Sequence, residues 1–72
     1  MITDEQKREL ILHRTASLGI VSAALVDGDW LLSHREKGIT VTVPNSIFDG
    51  SKGQALSSVA KAVKAALEIN NV

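Results

Sequence analysis

Ile20-Val21-Ser22-Ala23-Ala24-Leu25-Val26-Asp27-Gly28-Asp29-Trp30 is the stretch on which the fold turns. Its first seven residues form an apolar run broken only by Ser22. β-Branched residues and the preceding Gly19 favour a strand over a helix. Asp27-Gly28 is the strongest short hairpin signal and predicts a two-residue type I′ turn. The strand is apolar on both faces. Strict alternation puts Ile20, Ala24 and Val26 on one side and Val21, Ala23 and Leu25 on the other.

Working outward, Trp30 to Arg35 is the return strand. Glu36-Lys37-Gly38 forms a second turn, with Gly38 free to take a positive φ. Ile39-Thr40-Val41-Thr42-Val43 alternates cleanly, valines and isoleucine to one side and threonines to the other. Pro44 ends the pairing because it has no N–H to donate. Upstream, Thr3-Asp4-Glu5-Gln6 is a capping box that opens a helix over Asp4 to Ser17. Asp4 and Glu5 suit the positive end of its dipole, His13 and Arg14 the negative end, and Gly19 is a natural stop. Its first half is nearly all polar, so only the second half is expected to be well anchored.

Downstream, Pro44 to Gly53 reads as a loop carrying the apolar residues Ile47 and Phe48. Ser51-Lys52-Gly53-Gln54 is a second capping box. It opens a helix from about Lys52 or Gly53 to Asn70. Leu56, Val59, Ala60, Val63 and Leu67 form one apolar stripe on it. The element order is therefore α-β-β-β-α. Short connections make this an α+β fold, a three-stranded antiparallel meander packed with an N-terminal and a C-terminal helix.

Composition bounds the rest. The chain has 72 residues, 44% of them hydrophobic and 22% charged, which fits one globular domain over 1–72 and argues against disorder. There are no cysteines, which removes disulfides, thiolate metal sites and a Cys nucleophile together. A domain this small without disulfides suits a reducing compartment, so a cytoplasmic location is expected. Met1 to Leu10 carries no signal-peptide apolar region, and no apolar run reaches the roughly 18 residues of a membrane span.

Nothing in the sequence predicts a catalytic centre, a metal site or a cofactor. His13 and His34 are the only side chains that ordinarily titrate near neutrality, and neither stands in a catalytic motif. His13 reads as a helix-end cation and His34 as a polar strand position. No serine occupies a G-x-S-x-G elbow. Gly50-Ser51-Lys52-Gly53 leads into a helix and offers N–H groups and a lysine to an anion, but it is not the Walker pattern. The net charge is zero, with 8 basic and 8 acidic residues, which counts against nucleic-acid binding. The charge is nevertheless uneven. Residues 50–67 hold Lys52, Lys61 and Lys64 and no acid. These, with Gly53 at the helix start and Arg35 and Lys37 in the second turn, are the candidate nucleic-acid or anion ligands.

The α-β-β-β-α order and the Ala/Lys-rich last helix resemble double-stranded-RNA-binding domains. Ser51-Lys52, Ala55 and Ala60-Lys61-Ala62 match that family's last-helix signature over barely twenty residues. The family's other lysines fall here on Gly53 and Leu56, and the tight Asp27-Gly28 turn replaces its Gly-Pro-x-His loop. The resemblance is one of topology, and it implies a nucleic-acid-binding module as the alternative function.

The first strand supplies the leading expectation. In a meander it lies at an edge, and a long uncharged edge strand is a pairing hazard unless covered. Either the two helices cover its two faces, one each, or it pairs with another chain. Ile20, Val21, Ala23 and Leu25, with Trp30, Ile47 and Phe48 as anchors, are the candidate protein-binding residues. The expected function is a small non-enzymatic regulatory or interaction protein that binds a protein partner or itself, as a homodimer, without membrane or metal.

Overall fold

A computed structural model describes residues 2–36 and 38–69. Helix α1 spans Asp4–Thr15, followed by a 3-10 turn over Ala16–Leu18. Strands β1 (Ile20–Val26), β2 (Asp29–His34) and β3 (Thr40–Pro44) come next. A 3-10 helix over Asn45–Asp49 then precedes helix α2 (Lys52–Ile69). The strands form one antiparallel sheet in the order β1-β2-β3. This is the α-β-β-β-α, α+β arrangement that the sequence predicts. Lys37 and Asn70, named above in a turn and at a helix end, lie outside the described residues.

Local signals set the element ends. The Thr3 hydroxyl accepts from the Gln6 N–H and the Gln6 side chain accepts from the Thr3 N–H, completing the first capping box. The Gln6 and Gln54 N–H groups play matching parts: Gln54 donates to Ser51 Oγ at 3.2 Å to open α2. Helix α1 tightens to 3-10 geometry two residues before its expected end and stops at Gly19, whose φ is 92°. Asp27 and Gly28 both take positive φ, 50° and 81°, as a type I′ turn requires.

One irregularity changes the reading of β1. Ile20 lies opposite His34 and Ser22 opposite Ser33, so Val21 is an extra residue in a β-bulge. The bulge reverses the parity of the strand start. Ile20 therefore faces the same side as Ala23 and Leu25, not Ala24 and Val26. That inner side, with Trp30, Leu32, Val41 and Val43, packs against Ile11 of α1 and Val59 and Val63 of α2.

Both helices thus cover the same face of the sheet. The expectation of one helix per face fails because β1 has only one buried side once the bulge is counted. Ala24 and Val26 stay exposed with the threonines of β3. The apolar stripe of α2 is also rotated from its expected centre. Ala55, Val59, Ala60 and Val63 are buried, whereas Leu56 and Leu67 are half-buried at its margins. Small side chains let the helix lie close to the sheet. Thr15, the buried polar residue of α1, donates its hydroxyl to the Ile11 carbonyl at 2.7 Å, so its burial leaves no unmet donor.

Candidate functional site

The residues proposed as protein-binding anchors separate into two groups. Ile20, Ala23 and Trp30 belong to the core, and Trp30 is only 2% exposed. Their side chains hold the sheet to the helices. Leu25, Ile47 and Phe48 are half-buried and pack against the same core. Val21, the bulge residue, is 57% exposed.

Trp30 is fixed by a polar contact that joins three elements. Its indole Nε1 donates to Asn45 Oδ1 at 3.0 Å. Lys7 Nζ donates to the same oxygen at 3.4 Å. The Lys7 ammonium also lies 5.3 Å from the centre of the Phe48 ring and 3.8 Å from an Asp4 oxygen. A cation over an aromatic face is attracted by the ring's negative centre. This side chain therefore ties the polar first half of α1 to the Asn45–Asp49 segment, an anchor that hydrophobic periodicity does not reveal.

The candidate cations do not converge. Lys52 and Lys61 are nine residues apart on α2, which is two and a half turns, and so they project on opposite sides of the helix, about 180° apart. Lys52 lies beside Ile2, Thr3 and Phe48 near the start of α1. Lys61 lies beside Ile47, Gly53 and Ser57. Arg35 is at the far end of the sheet, beside Leu67 and Glu68 of α2 and 3.7 Å from Glu36. Lys64 lies one turn beyond Lys61 and one turn before Glu68 on the surface of α2. Among the described residues, no single basic face results.

His34 borders an open hollow with Ser17, Glu36 and Glu68. Its Nδ1 accepts the Glu36 N–H at 3.0 Å, which commits that nitrogen to holding the β2–β3 turn. His13 is exposed on α1, away from that hollow. Among the described residues there is no group of three or more His, Asp or Glu side chains placed to hold a metal ion. No helix among them is long and apolar enough to cross a membrane.

Two features of the sheet are left uncovered by the described residues. The outer face presents Ser22, Ala24 and Val26 of β1, Leu31 and Ser33 of β2, and Thr40 and Thr42 of β3. Asp29, at the hairpin end, is the one charged residue in this register. The outer edge of β1 is the second feature. The other edge, β3, ends in Pro44 and packs beside α2. β1 carries neither a proline nor a charged residue, and its one edge-blunting feature, the bulge at Val21, lies at the strand start and leaves Ala23 to Val26 in regular register. An open hollow runs along it, lined by Ala23, Ala24 and Leu25 on the strand and by Asp4, Glu5 and Arg8 on α1. The three α1 residues at this edge were not among the sequence-derived candidates. Nothing in the sequence marks them, since they come to β1 only through the helix–sheet packing.

The backbone groups at this edge follow from the register. A type I′ turn closes with a hydrogen bond between the residues that flank it, here Val26 and Asp29. Antiparallel pairs alternate between bonded and non-bonded. Ala24 and Leu31 are thus the next bonded pair, and Ala23 and Leu25 turn their N–H and C=O groups outward. Comparison with known proteins finds no match: no family model, no curated protein and no solved structure is significantly similar to this chain.

Proposed function

We propose that this chain is a small, non-enzymatic interaction protein of the cytoplasm that works by binding protein, and that it binds itself as a homodimer. The observation that carries this reading is the placement of both helices on one face of the sheet. The regular Ala23–Val26 part of the β1 edge carries no proline, charge or bulge, and the outer face of the sheet is almost uncharged. A free edge of this kind is a ready template for strand addition. The absence of cysteine supports a reducing compartment, where a domain of this size cannot draw on disulfides.

The test is the mass in solution as a function of concentration. Light scattering from tens to hundreds of micromolar is expected to show a rise from 7.7 kDa toward twice that value. A mass fixed at the monomer throughout removes the homodimer. Nucleic-acid binding, the alternative, draws no support from cations spread over three regions of the surface. Retention on heparin at low salt, lost steeply as salt is added, would reverse that judgement.

A further inference from the structure

We infer that the homodimer forms by antiparallel pairing of β1 with β1 of a second copy, centred on Ala24, and that Glu5 and Arg8 of α1 fix its register. The inference rests on the homodimer reading and adds the contact and the device that selects it.

Three observations converge on this geometry. The first is the outward orientation of the Ala23 and Leu25 backbone groups, set by the hairpin register. When Ala24 faces Ala24 of the partner subunit, each Ala23 meets a Leu25 and exchanges both hydrogen bonds with it. The pairing then uses every outward-facing group at the centre of the strand. The second is the bulge at Val21. A register one pair earlier, with Ala23 on the dyad, would set Leu25 against this distorted position, where the ladder is interrupted. Centring on Ala24 keeps the bulge at the margin.

The third is charge. Asp4, Glu5 and Arg8 line the hollow beside Ala23, Ala24 and Leu25. Within one chain Asp4 is paired with Lys7 at 3.8 Å and Glu5 lies 3.9 Å from Arg8. The Glu5 and Arg8 side chains, at 79% and 46% exposure, are open to re-pair across the seam. A two-fold axis normal to the sheet at Ala24 runs the two α1 helices antiparallel along the seam. An isologous interface places residue i of one copy against j of the other, and j against i. Glu5 of each copy then faces Arg8 of the other. An acid and a base one turn apart, on the helix that borders the seam, make the surface complementary to itself. Two acids or two bases there would make it repel a second copy.

The absence of native cysteine gives a direct test. Facing residues in a non-bonded antiparallel pair have Cα atoms about 4.5 Å apart, within disulfide range. Ala24 is exposed, so Ala24→Cys leaves the core intact. This variant is expected to oxidise to a covalent dimer. Val26→Cys, also exposed but about 13 Å from its own counterpart in this register, is expected to remain uncrosslinked. Independently, Glu5→Arg and Arg8→Glu are each expected to weaken the dimer about tenfold. Mixing the two variants opposes two positive positions on one chain to two negative ones on the other and restores association as a heterodimer. A wild-type chain that is monomeric throughout overturns the homodimer and this inference together. A dimer that crosslinks no faster through Ala24→Cys than through Val26→Cys, or reversed variants that fail to recover on mixing, overturns the register alone.

Discussion

At the residue scale, the tightest constraint is at Gly19. Its φ of 92° lies where L-residues are strained, and a Cβ built on it would collide with the His34 imidazole Nε2. Glycine here lets α1 stop, turns the chain into β1 and leaves room for His34. The His34 ring cannot withdraw freely, because its Nδ1 accepts the Glu36 N–H. Gly19→Ala is therefore expected to cost about 1–3 kcal/mol. Urea unfolding followed by Trp30 fluorescence measures it, since Trp30 is the only tryptophan and sits in the core. An unchanged midpoint would show that the backbone relaxes without loss. Asn45 is the other residue whose role is out of proportion to its size. One amide oxygen receives both the Trp30 indole and the Lys7 ammonium. A buried indole N–H without a partner is costly, and here the partner comes from the segment that follows β3.

At the element scale, β1 is decided by its bulge. Without Val21, Gly19, Ile20 and Ser22 would continue a regular ladder, and Ile20, Ala23 and Leu25 would keep the inner face. Deleting Val21 is thus expected to preserve a cooperative melt within about 1 kcal/mol, as changes at exposed positions usually do. Deleting Ala24 shifts the parity of everything before it. Ala23 would turn outward, and the core contacts made through the strand start would be lost, at about 2–5 kcal/mol. Thermal unfolding by circular dichroism separates the two. Equal losses in both variants would show that the bulge has a structural role beyond register. Helix α2 makes the complementary point. Its buried side is centred on Ala55, Val59, Ala60 and Val63, and the short side chains let it approach the sheet. The larger Leu56 and Leu67 serve at the margins.

At the scale of the whole molecule, a three-stranded sheet with two helices on one side leaves the other side to water or to a partner. A chain of this length buries only about 60% of the surface its unfolded form exposes, and its own stability is correspondingly modest. In the proposed homodimer, association adds to that stability through mass action. The melting temperature of a dimer that dissociates on unfolding rises with concentration. Between about 5 and 500 micromolar, calorimetry is expected to show an upward shift of several degrees, and a constant value would identify a monomeric unfolding unit. The zero net charge fits self-association, since little long-range repulsion opposes the approach of a second copy.

The sequence by itself determined the elements and their order. The capping box at Thr3, the Ser51 N-cap, the Asp27-Gly28 turn, the Ile39–Val43 alternation and the stop at Gly19 are local devices. Each acts within a few residues, so each can be read without knowing the fold. What the sequence left open depended on contacts between distant segments. The Val21 bulge is set by how β1 meets β2, and no alternation rule in β1 alone contains it. The seating of Lys7 on Asn45 and Phe48 joins residues about forty positions apart. The scatter of Lys52, Lys61 and Arg35 follows from helical phase and from which end of α2 meets the sheet. Above all, only the tertiary structure decided that both helices share one face. The physical reason is that the bulge brings Ile20 to the same side as Ala23 and Leu25, the side that packs against both helices, while Ala24 and Val26 stay exposed on the other. That edge and outer face are the surfaces on which the proposed function rests.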